Sequence, residues 1–167
     1  MKRVLTPILL VALILLGVPG ETRADGISFG VGAGVITSDD FDASKLWLTG
    51  NLRFNLSDNL VLEPEAGWYG ETHVNVFNFG GSALILIPTE RVELFAGGGV
   101  GAHMYQWSGE ALDESEAYLG LHVLGGLDLA VSDTWKLFGA TRYEIIQADG
   151  GNAKQWKFYG GLRLGGN

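Results

Sequence analysis

Residues Leu52–Glu65 read LRFNLSDNLVLEPE. Leu52, Phe54 and Leu56 alternate with polar residues up to Ser57-Asp58-Asn59, and the alternation resumes with Leu60 and Leu62. A period of two belongs to a strand, and a short polar interruption between two such runs belongs to a turn. The stretch therefore predicts a β-hairpin whose turn sets its register. Residues equidistant from Asp58 oppose one another, so Arg53 faces Glu63 and Asn51 faces Glu65. Leucines and a phenylalanine share one face, while opposite charges meet in mid-strand on the other. The hairpin alone leaves open which of the two faces is wet.

The same alternation recurs through the rest of the chain. It predicts eight strands, over 26–36, 44–56, 60–70, 74–87, 92–106, 117–131, 135–147 and 156–165, with no helical period after residue 25. The connections at 57–59, 88–91 and 132–134 are tight. Those at 37–43, 107–116 and 148–155 are longer and polar, and the short link at 71–73 breaks the pattern. An even number of antiparallel strands, with short turns at one end and longer loops at the other, is the layout of an outer-membrane barrel.

Residues 1–24 have the form of an export signal. Lys2 and Arg3 precede the apolar run Ile8–Val18, Pro19-Gly20 breaks it, and small Ala24 offers a cleavage point. That run is shorter than the roughly 20 residues a spanning helix needs. Residues 25–167 then form one domain. Losing Lys2, Arg3 and Arg23 leaves 8 basic residues, losing Glu21 leaves 18 acidic ones, and the net charge is −10. A strongly acidic domain does not suit nucleic acid as a partner. With no cysteine there is no disulfide and no thiolate chemistry.

In a soluble, lipocalin-like barrel the apolar face points in and the charged face out. In a membrane barrel the two are exchanged, and the lumenal charges must pair, because an unpaired buried charge costs several kcal/mol. The charged face carries Lys45, Arg53, Lys136, Arg142, Lys157 and Arg163 against Glu63, Glu65, Glu93, Asp128 and Glu144. It is close to neutral in a strongly acidic chain. That balance favours the membrane arrangement, with these residues as a structural lumenal network.

With its glycine-rich strands GISFGVGAGV and ELFAGGGVGAHMYQW, its turns SDN and PTER and its aromatic strand ends, the chain resembles the small eight-stranded outer-membrane β-barrel proteins, the OmpA/OmpX-type transmembrane family. The resemblance covers nearly all of residues 25–167. Such chains commonly finish on an aromatic residue, whereas this one finishes Leu164-Gly165-Gly166-Asn167. It implies an all-β, antiparallel, up-and-down transmembrane barrel in a bacterial outer membrane. It also implies a monomer surrounded by outer-membrane lipid and lipopolysaccharide and inserted by the β-barrel assembly machinery.

Gly97-Gly98-Gly99-Val100-Gly101-Ala102 fits the G-x-G-x-x-G/A pattern of a dinucleotide loop. A cofactor loop needs a helix after it, and here the alternation continues through Val100, Ala102 and Met104, so no cofactor is expected. The barrel supplies another cause. Inward Gly97, Gly99 and Gly101, with Gly30, Gly32 and Gly34, make room for Trp47, Tyr69, Phe95 and Tyr118 in an interior only wide enough for side chains. Trp68, Phe77, Trp107, Tyr143 and Trp156 near one set of strand ends, and Phe54 and Trp135 near the other, suit two interfacial girdles.

Other sites are weaker. His103, Ser108 and Glu144 contain the residue types of a lipid A deacylase, but His103 points inward while Ser108 begins a loop, and a base must reach its nucleophile. Asp39, Asp40, Asp42, Glu110, Asp113, Glu114 and Glu116 gather at one end without the spacing of a calcium loop, so a solvated acidic rim is expected rather than a metal site. The sequence thus predicts a surface-exposed structural or interaction barrel with a plugged lumen, not an enzyme. The alternatives are a lipid A-modifying barrel enzyme and a soluble lipocalin-like barrel binding an apolar ligand.

Overall fold

The computed structural model describes residues 26–39, 43–71, 74–89, 91–107, 115–148 and 151–165. The export signal read at 1–24, most of the acidic loop at 107–116 and the last two residues lie outside them. Eight strands run in order: β1 Ile27–Ser38, β2 Lys45–Asn55, β3 Leu60–Glu71, β4 Val74–Pro88, β5 Val92–Trp107, β6 Ser115–Ala130, β7 Trp135–Ala148 and β8 Gly151–Gly165. Each pairs antiparallel with the next, and β8 pairs back onto β1, so the sheet is a closed barrel without edges. The glycine run at 97–101 lies inside β5 and no helix follows it.

Closure demands tilt. Cross-strand partners traced once around the wall run Glu63, Ser82, Gly99, His122, Glu144, Gln155 and Ser38. The partner of Arg53 on that same β1 is Ser28, so one lap climbs ten residues. A stagger of this kind tilts the strands and sets the bore. In the β2–β3 pair, Asn51 opposes Glu65 and Phe54 opposes Leu62. The ladder is interrupted between them at Pro64, which has no N–H to donate.

The wall is inverted relative to a water-soluble barrel. Ile85, Leu121 and Val123 face outward with about 60% of their surface exposed, whereas Arg53 is 2% exposed and Glu144 and Lys157 are fully buried. Outward Phe29, Phe79 and Phe158 continue the apolar band around the barrel.

β8 begins five residues earlier than its apolar pattern predicts. The reading of 148–155 as a long polar loop is therefore corrected: Ala148 pairs with Gly151, Gln147 with Asn152 and Ile145 with Lys154. Only residues 149–150 connect the strands. Gly151 has φ of +142°, a conformation that L side chains rarely adopt, as a tight reversal requires. Backbone hydrogen bonding continues past the point where side chains turn polar, so the polar residues mark the end of the apolar band and not the end of the strand. The difference in loop length between the two barrel ends is then carried by 39–44 and 108–114 alone.

The lumen holds two apolar clusters. Ile36, Trp47, Tyr69, Val76, Phe138 and Tyr159 form one, and Val61, Leu84, Leu86, Phe95 and Leu124 the other. The glycines beneath Trp47 and Phe95 are not those named from the sequence, although sequence-named Gly32 lies beneath Phe138. A Cβ on Gly67 would run into the Trp47 indole, and one on Gly126 into both the Gly139 carbonyl and the Phe95 ring. Several of the sequence-named glycines, among them Gly97 and Gly99, are instead required by neighbouring backbone, since a Cβ there would meet the β4 main chain. We expect Gly67→Ala to destabilise the barrel by about 1–3 kcal/mol through overpacking. Adding Trp47→Leu should remove most of that penalty, measured as shifts in the denaturant midpoint of the folded barrel. Simple additivity of the two changes would show that the indole does not occupy the space above Gly67.

Candidate functional site

Strand parity sends Arg53, Glu63, Glu65, Glu93, Asp128, Lys136, Arg142, Glu144, Lys157 and Arg163 into one lumen. At one end four of them interlock. Arg53 donates from Nε to Glu63 (2.6 Å) and from Nη1 to Asp128 (2.5 Å). Arg163 Nη2 donates to the same Glu63 oxygen at 3.4 Å, its Nε lies 3.3 Å from Asp128, and its Nη1 donates to Asn51 Oδ1 at 2.8 Å. Two cations thus share two carboxylates. Glu93, at the mouth, lies 3.8 Å from Arg53 and 3.7 Å from Lys136, both Glu93 and Lys136 being partly exposed.

Further along the axis, Arg142 grips Glu65 with two parallel hydrogen bonds of 2.6 and 2.8 Å. This fork geometry gives guanidinium–carboxylate pairs their strength and their orientation. The third group centres on Glu144. Lys157 donates to its Oε2 at 2.6 Å, and His103 Nε2 lies 2.9 Å from its Oε1. Asn78 lies 3.1 Å from the same ring nitrogen, and Ser82 Oγ is 2.7 Å from His122 Nε2.

Aromatic rings cover the other side of these cations. Arg53 lies 4.2 Å from the Phe95 centroid, Lys157 4.2 Å from Trp47, Arg163 5.0 Å from Phe138 and Arg142 6.0 Å from Tyr159. The negative face of a ring attracts a cation, and more strongly where water is excluded. Each buried cation therefore has a carboxylate partner and a ring beside it.

Local sequence reasoning could not find the across-barrel contacts. Arg53 with Asp128, Glu65 with Arg142 and Asn51 with Arg163 join residues 75, 77 and 112 positions apart, and only closure of the sheet brings them together. Ser82 was also missed. With His122 and Glu144 it forms a hydroxyl–imidazole–carboxylate series, the residue order of a hydrolase triad. His122 Nδ1 is 3.7 Å from Glu144, too far for a hydrogen bond, and Ser82 is 2% exposed. A narrow cleft at the mouth, near Ser28, Arg53, Asn55, Glu93 and Lys136, does not include Ser82. His103 points into the lumen, and Ser108 lies outside the described residues. Among the described residues no His, Asp or Glu group is arranged to hold a metal ion. Asp40, Asp42, Glu110, Asp113 and Glu114 lie outside them.

The network makes a specific energetic prediction. Arg53→Met alone leaves Glu63 and Asp128 sharing Arg163, and Glu63→Leu alone leaves two arginines on Asp128. Removing one member of a buried pair typically costs about 3–5 kcal/mol. The double variant keeps Arg163 with Asp128 and restores neutrality, so we expect it to recover much of the loss in equilibrium unfolding. Single effects that merely add would mean that Arg53 and Glu63 do not interact.

No family model matches the chain, and no curated protein matches it. Solved structures do. The Neisserial surface protein A, NspA, superposes with a TM-score of 0.70 at 17% identity, covering 83% of this chain and 95% of that one. The N-terminal β-barrel domain of Pseudomonas aeruginosa OprF does so with a TM-score of 0.59 at 11% identity, covering 81% and 96%. The outer membrane enzyme PagL matches with a TM-score of 0.51 at 10% identity, covering 81% and 98%. Identities this low speak to architecture alone. In that architecture, a closed antiparallel eight-stranded wall with its charges inside, the chain has the fold of the small eight-stranded outer-membrane β-barrels.

Proposed function

We propose that this chain spans a bacterial outer membrane as a monomeric barrel with a structural or interaction role at the cell surface. Its first 24 residues would export it and the β-barrel assembly machinery insert it. The observation that carries this reading is the inverted wall. In water, the band containing Phe29, Ile85, Leu121, Val123 and Phe158 would be a contiguous exposed apolar surface around the whole molecule, far larger than soluble monomers carry. In lipid the same band is matched to its solvent. Outward-facing Trp156 near one set of strand ends and Trp135 near the other suit two interfacial girdles. Trp107, at 38% exposed, has instead the inward parity of β5 and stacks on Tyr105 at the barrel mouth. The connections 39–44 and 108–114, the longest, would then face outside, with 56–59, 89–91 and 131–134 toward the periplasm.

A catalytic role, placed by the sequence in lipid A modification, is the second reading, since the outer membrane enzyme PagL shares the fold. A deacylase of the kind weighed from the sequence would carry its base and nucleophile within reach of each other on the face that meets lipid. Among the described residues, the outward positions of the eight strands contain no His, Asp or Glu, and both described lumenal histidines are buried. This supports the non-enzymatic reading. The lumen, filled by ion pairs and rings, favours a plugged barrel over an open pore.

Fractionation tests the proposal. The folded chain should stay in the membrane pellet and migrate differently on a gel before and after heating, and a stable fold in plain buffer would rule the membrane reading out. Val123→Arg, on the outward face in mid-strand, should cost about 2–4 kcal/mol in lipid. In planar bilayers no large, steady conductance should be seen; its appearance would show the interior open.

A further inference from the structure

The outward-facing positions of the eight strands hold a single charged side chain among the described residues, Lys154. An ammonium on a lipid-facing wall is unfavourable in hydrocarbon, so its position is informative. Trp156, two residues along β8 and on the same face, is 46% exposed. It pairs across the ladder with Tyr143 on one side and Thr37 on the other. The Trp156 ring lies 4.8 Å from that of Tyr143 and is stacked 6.1 Å from Phe158. Lys154 therefore sits just beyond an aromatic ladder, at the depth where a membrane changes from hydrocarbon to headgroup.

A cleft of about 390 Å³ opens at this point, lined by Thr37, Ser38, Asp39, Tyr143, Lys154 and Trp156. Its volume falls in the range of about 300–1,000 Å³ typical of small-molecule sites. Ser38 Oγ donates to the Lys154 carbonyl at 2.8 Å, fastening the end of β1 to β8 and holding the cleft's two sides together. The lining chemistry is mixed: one cation, one carboxylate, three hydroxyls and an exposed indole face.

We infer that this cleft binds the phosphorylated sugar headgroup of an outer-leaflet glycolipid, with phosphate on Lys154 and the sugar ring against Trp156. The inference rests on the membrane reading above. The cation accounts for an anion at headgroup depth. Indole presents a negative face to the positive C–H edge of a sugar ring. Asp39 is the discriminating group. Its carboxylate would repel a bare anion, but it accepts hydrogen bonds from sugar hydroxyls, as can the Thr37, Ser38 and Tyr143 hydroxyls. A glycerol phosphodiester offers those acceptors only two hydroxyls on a flexible chain and has no ring to lie against the indole, so it uses the cleft less fully.

Full-length barrel in phosphatidylcholine nanodiscs tests the assignment, with bisphosphorylated lipid A as the probe and native mass spectrometry counting retained lipid. One lipid A should remain bound to the native barrel. Lys154→Gln should weaken retention about five- to tenfold, since one lysine at a charged membrane surface is worth roughly that factor. Lys154→Arg should retain it, and Trp156→Leu should weaken it. Dephosphorylated lipid A and phosphatidylglycerol should both bind less well. Equal retention of phosphatidylglycerol, or unchanged retention in Lys154→Gln, overturns the inference. Displacement of the lipid by millimolar inorganic phosphate overturns the lipid as the source of the phosphate. Each variant is first shown to be folded by its heat-dependent gel shift. A chain that does not insert at all overturns the membrane reading itself, which separates that failure from failure at Lys154.

Discussion

Compensation of buried positive charge is the constraint on which the rest of this barrel depends. Arg53, Arg142, Lys157 and Arg163 are each nearly or wholly withdrawn from solvent. An isolated ion in such a place would be strongly destabilising, and mutual attraction offsets desolvation only when geometry is close and remaining donors are used. Arg53, Arg142 and Lys157 meet the first condition with carboxylates at 2.5–2.8 Å, and Arg163 more loosely at 3.3–3.4 Å. Among the described residues the donors Arg53 Nη2, Arg142 Nε and Arg163 Nε are left without hydrogen bonds, and rings behind the cations supply the remaining compensation. The large lumenal aromatics are part of this electrostatic arrangement as well as space-fillers. Trp47 packs on Tyr69 and faces Lys157, and Phe95 belongs to an apolar cluster while covering Arg53.

A bore of eight strands leaves little freedom in how this is done. Rings and guanidinium groups must lie across the lumen, and the wall opposite them must retreat. Gly67 beneath Trp47 and Gly126 beneath Phe95 are where it does. Elsewhere the wall approaches itself so closely that an inward Cβ on Gly97 or Gly99 would meet the neighbouring main chain. Glycine in β5 thus answers to curvature and strand proximity, and its resemblance to a phosphate-binding loop is a coincidence of spacing.

The architecture was legible because alternation and turn chemistry are local signals. Asp58 at the centre of a hairpin suffices to place Arg53 beside Glu63, and the structure holds them 2.6 Å apart. Parity alone places His103 and His122 inward. What local reading could not reach is set by closure. The stagger of ten residues per lap brings Asp128 to Arg53 and Glu65 to Arg142, and no feature of either segment names the other. Two differences have another origin. β8 starts before its apolar pattern does because hydropathy ends before hydrogen bonding does. The glycines beneath Trp47 and Phe95 lie where parity alone cannot place them, since two-fold parity gives a face but not an opposite wall.

The outward face raises a question that the inward face answers. Along every strand the outward positions are almost uniformly apolar, so any register that shifts one strand by an even number of residues keeps lipid-facing groups in lipid. Alternation penalises slips of one residue and is indifferent to slips of two. The lumen is not indifferent. Shifting β3 by two residues against β2 would put Val61 or Glu65 opposite Arg53, leaving Asp128 and Arg163 to balance a different set of charges. The fork between Arg142 and Glu65 and the Lys157–Glu144 contact impose the same test on the far wall. Buried ion pairs often add little net stability compared with apolar residues of the same size, and their best-attested use is to select one arrangement among several of similar hydrophobic energy. A barrel whose outside is made of interchangeable apolar rows has the most to gain from that selection, and here the selecting charges line the face that the apolar pattern cannot discriminate.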